Sequence, residues 1–241
     1  MPEGRKEGET PVKYNQFCPI AKSLELLGEK WTLLIVRELL MGSTRFGELQ
    51  RGLANMSPAL LAKRLKTMEE NNLIVKLRNR GERGYAYYPT EQTRELTPLI
   101  EGLGVWGLRW LKSNLSDDDF DVEFLMLCLE RSIVPENLPG NQVVALFHFL
   151  DLAVHQKWWI VAQGEHVEVC VKDPGQDVDI YFTTEVGRMI DAWLGRRSYA
   201  SLIENDELQL IGPTHLTKTV TKWMEVCALA ELAESQDLHG N

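Results

Sequence analysis

The chain of 241 residues has few cysteines and no long apolar run. Its four cysteines stand far apart with no CxxC pair, which argues against a disulfide framework and favours a reducing cytoplasm. Apolar runs, such as those at residues 33–36 and 124–127, are too short to span a bilayer. Residues 1–13 are polar and lack the apolar segment of a secretory signal, so we expect them to form a flexible arm.

Signatures of catalysis are also missing. The sequence has no GxSxG, P-loop or HExxH motif, and its five histidines are not spaced as metal ligands. We therefore expect no enzyme, no metal and no cofactor. Residues 102–107 match GxGxxG, but no strand precedes them, as dinucleotide binding would require. These glycines are instead predicted to let two helices approach closely.

Charge divides the chain into two halves. Up to Leu115 there are 18 basic and 13 acidic residues, whereas from Ser116 onward there are 8 basic and 22 acidic residues. The length suits two domains. A basic half joined to an acidic half indicates nucleic-acid binding confined to the first half. Two domains with unrelated surface chemistry would give the same pattern, so charge alone leaves both interpretations open.

The first half shows a series of helices followed by a hairpin. Apolar spacing predicts helices over 19–27 and 31–41, and a third helix from Arg45 to Leu53. Ser57 and Pro58 are typical of the first residues of a fourth helix. Two strand-like segments then flank a glycine-bounded turn, at 74–80 and 85–89. This order of elements predicts a winged helix-turn-helix.

Several motifs make the interpretation more specific. The sequence resembles the HxlR-type family of bacterial transcription regulators from about Tyr14 to Lys112. The motifs that carry the resemblance are Cys18-Pro19-Ile20, Leu27-Gly28-Glu29-Lys30-Trp31, Arg45-Phe46-Gly47-Glu48-Leu49, Ser57-Pro58 through Leu65 with Glu69 and Leu73-Ile74, and Tyr87-Tyr88-Pro89-Thr90. The resemblance implies a homodimeric, DNA-binding regulator that reads DNA with the helix from Ser57.

A major groove admits one helix, and basic residues on a wing can reach the backbone or the minor groove. The predicted DNA-binding residues are Thr44, Arg45, Ser57, Ala59, Lys63, Arg64, Lys66, Arg78, Arg80 and Arg83.

The segment from Gln92 to Ser113 carries a short heptad seam. Its members are Leu96, Leu99, Leu103, Trp106 and Trp110. We expect this seam to form the contact between two copies of the chain, which would place two reading helices on half-sites about 34 Å apart. Packing against its own domain is the alternative.

Cys18 stands just before the first helix, and some HxlR-type proteins sense oxidants with a cysteine in this place. A thiol near a helix N-terminus can have a lowered pKa. A small apolar residue in the dimer interface is the simpler interpretation.

The sequence pattern of the second half predicts an α+β domain over residues 120–232. A helix is expected over 124–133, and strands over 143–150, 158–162, 167–171 and 178–183. Helices from Val186 to Gly195 and from Ser198 to Glu204, a strand over 208–211 and a helix over 214–229 complete it. Strict alternation in the third and fourth strands indicates a sheet with one buried face.

Short motifs at 193–195, 201–203 and 208–213 resemble sterol-carrier-protein-type lipid-binding domains. That resemblance implies an apolar cavity between sheet and helices. The candidate lining residues are Phe147, Phe149, Trp159, Ile180, Phe182, Met189, Trp193 and Leu202. The same residues would equally form an ordinary packed core.

Two functions therefore stand against each other at this point. The first is a dimeric transcription regulator, modulated or not by an apolar ligand. The second is a lipid or acyl-group carrier whose first half mediates assembly. An enzyme that uses a cleft in the second half has only the expected cavity in its favour.

Overall fold

A computed structural model describes residues 13–78, 84–111, 116 and 119–238. The flexible arm expected at 1–13, all but Lys13, and Asp117-Asp118 at the expected linker lie outside these residues. The chain forms two compact units that divide between Ile100 and Glu101. Within the described ranges, no helix combines the length and apolarity needed to cross a membrane.

The first unit opens with four helices and a hairpin. The elements are α1 (Pro19–Leu27), α2 (Thr32–Leu40), α3 (Phe46–Gly52), α4 (Pro58–Glu70), β1 (Ile74–Arg78), β2 (Tyr85–Pro89) and α5 (Glu91–Arg94). Apolar residues at helical spacing on α2, α3 and α4 meet in one core, which includes Ile35, Leu49 and Leu61, each fully buried. Burial of this stripe supplies most of the stability of such short helices. The winged helix-turn-helix fold predicted for this half is confirmed.

The strands of the wing are antiparallel, with Ile74 opposite Pro89 and Arg78 opposite Tyr85. The Tyr87 amide donates to the Thr44 carbonyl at 2.7 Å, and Arg45 forms an isolated bridge with Ala86. These backbone contacts attach β2 to the start of α3.

The segment predicted as one helix from Gln92 to Ser113 forms two helices in its described part, which ends at Leu111. After α5 the chain turns at Glu95 and Leu96, and α6 runs over Thr97–Trp110. Pro98, with no amide hydrogen, is tolerated in the first turn of a helix but not in its interior. The heptad interpretation treated the segment as continuous and was wrong at this point.

The second unit is a five-stranded sheet with helices. Its elements are α7 (Val122–Ser132), a 3-10 helix (Pro135–Asn137), β3 (Gln142–Phe149), β4 (Lys157–Gln163), β5 (His166–Cys170), β6 (Ile180–Thr184), α8 (Val186–Trp193), α9 (Tyr199–Glu204), β7 (Leu208–Ile211), α10 (Thr214–Thr217), α11 (Val220–Trp223) and α12 (Ala228–Leu238). The strand order is β5-β4-β3-β6-β7, and only β3 and β6 in this sheet pair in parallel.

Both faces of the central strands are covered. One face carries the main core, in which the Phe147 and Phe182 rings stack with centroids 4.5 Å apart. To join β5 to β6 the chain must pass over β4 and β3 to the far side of β3. A smaller cluster of Val144, Leu146, Trp159 and Val161 lies on the opposite face, with Val178 packed against it. The Asp179 carboxylate accepts from the Val144 amide at 2.8 Å and so fixes the end of this crossing.

The last predicted helix, 214–229, is wrong. The chain forms α10 and α11, leaves helical geometry at Met224, and begins α12 at Ala228. Met224 pairs with Ile133, and the Glu225 amide donates to the Ser132 carbonyl at 2.9 Å. A tertiary pairing with the end of α7 thus replaces the local helical bonds that propensity favours.

Candidate nucleic-acid interface

Helix α4 begins where its sequence predicts. The Ser57 hydroxyl accepts a hydrogen bond from the Leu60 amide at 3.3 Å, and Pro58 occupies the first turn. Ser57 is therefore engaged as a helix cap, a role that satisfies one of the free amides at a helix start. Thirteen residues give the helix a length of roughly 20 Å.

One face of α4 is buried and the opposite face is open. Leu61, Leu65 and Met68 point into the core of the first unit. The exposed residues on the opposite side follow helical spacing: Ala59, Ala62, Lys63 and Lys66. We call these four residues the outward stripe. Lys66 is 77% exposed and lies 3.7 Å from Glu70 on the next turn. The stripe presents small side chains toward the helix N-terminus and two cations in the middle.

Arg64 does not belong to this stripe. Its guanidinium forms an ion pair with the Glu29 carboxylate, in the turn between α1 and α2. Only 18% of the Arg64 side chain is exposed. Sequence reasoning grouped Arg64 with Lys63 and Lys66, and the structure separates it from them.

The start of α3 lies beside the wing. The Glu48 carboxylate accepts from the Thr44 and Arg45 amides at 2.8 and 2.9 Å. The Arg45 guanidinium is half exposed and 3.9 Å from the same carboxylate. The two residues are therefore held by backbone contacts, and the Arg45 side chain extends to the surface.

The wing carries one predicted cation in the described region, Arg78, which is exposed on β1. Arg80 and Arg83 lie outside the described residues. Sequence reasoning missed Lys76, whose ammonium group lies 4.3 Å from the centroid of the Tyr85 ring and 5.8 Å from that of Tyr87. The strand alternation that places Lys76 and Arg78 on one face was available in the sequence and would have found it.

A buried carboxylate connects α2 with α3. Glu38 is fully buried, and its carboxylate accepts from the Arg37 guanidinium at 2.8 Å and from the Ser43 hydroxyl at 3.3 Å. Arg37 also donates to the Gly52 carbonyl at 3.0 Å. A Cβ at Gly52 would overlap this carboxylate. The network is satisfied internally, so it supports the helix-turn-helix and is not a ligand site.

The predicted dimer seam lies mostly at the surface. Leu96 packs against the core of the first unit, whereas Leu99 and Leu103 are about half exposed, and Trp106 and Trp110 are 54% and 70% exposed.

Gly104 also lies on α6, and a Cβ at this position would lie 2.5 Å from the Leu229 side chain of α12. A close approach of two helices at one of the three glycines of 102–107 is thus confirmed.

Helix α1 and the residues just before it also expose apolar side chains to solvent. Phe17 and Ile20 are 100% and 71% exposed, and Leu24 follows on the next turn. Cys18 is the N-cap residue of α1 and is half-buried, with no disulfide in the described residues. The oxidant-sensing and interface interpretations of Cys18 both stay predictions.

The predicted ligand pocket is occupied by its own side chains. Phe147, Phe149, Ile180, Phe182, Met189 and Leu202 are fully buried in the main core of the second unit, and Trp193 packs against it. Trp159, predicted to face the pocket, lies on the other face of the sheet. Its neighbour Trp158 lies in the main core instead. Four clefts of this unit, among them one of about 640 Å³ beside α8, are lined by other residues.

Similarity to known proteins identifies the family of this chain. Residues 26–115 match the HxlR-like helix-turn-helix family. The HTH-type transcriptional regulator YvaP of Bacillus subtilis is 30% identical over 112 residues, which are 44% of this chain and all of that protein. Regulator Rv3095 of Mycobacterium tuberculosis is 40% identical over 94 residues, 38% of this chain and 58% of that protein.

Among solved structures, the reduced form of the transcriptional regulator YodB from B. subtilis is 28% identical, with a TM-score of 0.35. The match covers 41% of this chain and 98% of that one. Residues 116–241, which make up most of the second unit, lie outside the family match. With one relative matched along its whole length and the winged helix-turn-helix in place, the chain belongs to the HxlR-like helix-turn-helix family.

Proposed function

We propose that this protein is a transcription regulator that binds duplex DNA as a homodimer, with α4 in the major groove. The observation that carries the proposal is the outward stripe of α4, which presents Ala59 near the helix N-terminus and Lys63 and Lys66 beyond it. A small side chain near the helix start lets the backbone approach base edges, and the two lysines are within reach of base acceptors or phosphates. The family relatives carry the name of HTH-type transcriptional regulators.

The wing and helix α3 supply the remaining contacts in this proposal. Arg78 and Lys76 lie on one face of β1, next to Tyr85 of β2. We assign Arg78 to the phosphate backbone or the minor groove, the role that the sequence also predicts for Arg80 and Arg83. Thr44 and Arg45, at the start of α3, would contact the backbone beside the groove. Arg51, exposed at the end of α3, is a further candidate.

A second copy of the chain is the proposed partner of α6. Trp106 and Trp110 expose more than half of their surface, and tryptophan side chains are rarely left so open without a partner. The exposed residues repeat at heptad spacing along one helix, as in a helix–helix contact between copies. A twofold dimer would present two α4 helices to half-sites about 34 Å apart.

Ligand control by the second unit is not part of this proposal. The sterol-carrier resemblance calls for an apolar cavity, yet seven of the eight candidate residues lie in or against one packed core. A ligand would have to displace these side chains from one another. The carrier alternative depends on the same cavity and has the same weakness.

DNA binding is tested by selecting sites from randomised duplexes and measuring fluorescence anisotropy across a series of salt concentrations. We expect affinity to fall steeply with salt, because lysine–phosphate contacts release counterions. Lys63→Ala/Lys66→Ala should weaken binding by at least about tenfold and lower the salt slope by up to about two units. The control is Lys218→Ala/Lys222→Ala, which removes the same charge from exposed positions of the second unit. Equal losses in both variants would contradict the assignment to α4.

Dimer formation is tested by sedimentation equilibrium of the full chain. Leu103→Glu/Trp106→Glu should give monomers at concentrations at which the unchanged protein is a dimer, because two charges would be buried at the seam. Glu101→Gln, on the same helix, serves as the control. A dimer unaffected by the two glutamates would place the interface elsewhere.

A further inference from the structure

The turn before α2 holds a carboxylate in a fixed place. Glu29 lies between Gly28, which ends α1, and Trp31, whose φ of 81° is rare for a bulky residue. The Trp31 ring packs against the core of the first unit, and the Thr32 amide donates to the Glu29 carbonyl at 3.1 Å. A left-handed tryptophan persists only where packing overdetermines it. The Glu29 side chain is thus attached to a turn that the core holds in one conformation.

Arg64 reaches this carboxylate from the middle of α4. The two side chains are 18% and 24% exposed, and 35 residues separate them in sequence. The Arg64 Nε is enclosed and finds no hydrogen-bond partner among the described residues. The guanidinium is therefore enclosed by the protein, and one of its terminal nitrogens contacts the Glu29 carboxylate.

The neighbours of Arg64 on the helix are placed differently. Lys63 and Lys66 lie on the outward stripe, whereas Leu61 and Leu65 lie in the core. Arg64 occupies the flank between these two faces, where a bond to a second element fixes the rotation of the helix about its own axis. Loss of either partner would leave the other charge half-buried and unpaired, which is costlier than loss of an exposed pair.

We propose that Arg64 is a positioning residue for DNA recognition: its bond to Glu29 sets the angle at which the outward stripe of α4 meets the groove, and Arg64 itself contacts no phosphate. The inference rests on the proposed function, because it assigns a role within the same interface. It reverses the role that the sequence pattern gives to this arginine.

Glu29→Gln distinguishes the two roles most sharply. Removal of an acidic residue beside a DNA site ordinarily strengthens binding, because it removes repulsion from phosphates. The positioning role predicts the reverse, a loss of about tenfold in affinity, because a charge-assisted bond is replaced by a weaker one. Unchanged or tighter binding would overturn the inference.

Arg64→Gln gives an independent readout. A positioning residue should weaken binding with the salt slope unchanged, whereas loss of a phosphate contact lowers the slope by about one unit. Lys63→Gln is the matched control on the adjacent residue, and we expect it to lower the slope. A lowered slope in Arg64→Gln would overturn the inference and leave the proposed function standing.

The exchanged pair Glu29→Arg/Arg64→Glu keeps the net charge and restores the ion pair with its ends reversed. We expect it to recover most of the affinity lost in the single variants and to select the same sites as the unchanged protein. The single variants should select altered or less defined sites, which a residue that only stabilises the fold would not cause. No recovery in an exchanged pair whose thermal midpoint is restored would overturn the inference. Absence of DNA binding in the unchanged protein would instead overturn the proposed function.

Discussion

The first unit presents Lys63 and Lys66 of α4 at its surface, whereas the second unit packs most of its predicted ligand-pocket residues into its interior. On α4 the cations Lys63 and Lys66 are exposed, and the Lys66 ammonium lies 3.7 Å from the exposed Glu70 carboxylate. In the second unit Phe147, Phe182 and Trp223 are fully buried and their rings contact one another. The contrast separates the residues proposed to bind DNA from residues that hold the fold, since exposed residues can be changed with little effect on stability.

The charge pattern follows the same division. The basic half of the sequence contains the outward stripe and the wing, and the acidic half contains the filled core. A cleft in the second unit lies between charged residues, but those charges are paired: Arg196 lies 3.5 Å from Asp191, and Arg188 lies 3.1 Å from Glu207. Charge in the second unit thus supports structure, whereas Lys63 and Lys66 on α4 are exposed at the surface.

The largest expected effect tests this contrast directly. Phe182→Ala should lower the free energy of unfolding by about 3–5 kcal/mol, because it opens a cavity in a filled core. Lys63→Ala should change it by less than about 0.5 kcal/mol. Urea unfolding measures both changes: tryptophan fluorescence follows the second unit, since six of the seven tryptophans lie after residue 100, and circular dichroism follows the helices of the first unit as well. A small loss of unfolding free energy in Phe182→Ala would indicate that the core contains a cavity, and would support the predicted ligand pocket.

An intermediate effect is expected where α6 meets α12. Gly104→Gln should cost about 1–3 kcal/mol, because its Cβ would overlap the Leu229 side chain. Gly102→Gln is the matched control on the same helix, with open space around the added Cβ. It should be neutral or stabilise the protein by up to about 1 kcal/mol, since glycine is a poor helix former. Thermal unfolding of the two variants under one condition gives the comparison, and equal midpoints would contradict it.

The smallest effect concerns pH. A hydrogen bond from Arg197 lowers the pKa of Glu207, and the positive charge of Arg188 lowers it further. A carboxyl whose pKa is lower in the folded state stabilises the protein above the unfolded value of 4.5, and this contribution disappears as pH falls through the folded value. The urea midpoint of the unchanged protein should therefore fall more between pH 6 and pH 3 than that of Glu207→Gln. Parallel falls would show that the pair adds no measurable stability.

Local sequence signals predicted most elements of both units. Ser57-Pro58 marked the start of α4, and alternation placed β5 and β6 within one or two residues. The failures occurred where distant residues compete with local preference. The helix expected over 214–229 breaks because Met224 pairs with Ile133, which is 91 residues earlier in sequence.

The sequence by itself determined that the first half is a winged helix-turn-helix, since caps, apolar spacing and the hairpin turn are properties of neighbouring residues. Only the tertiary structure decided which of two adjacent residues serves which purpose. Trp158 faces the main core and Trp159 the opposite side, because the register of β4 against β3 fixes the faces. Lys63 remains open and Arg64 is paired, because Glu29 is brought to α4 by a turn that no local pattern connects to it.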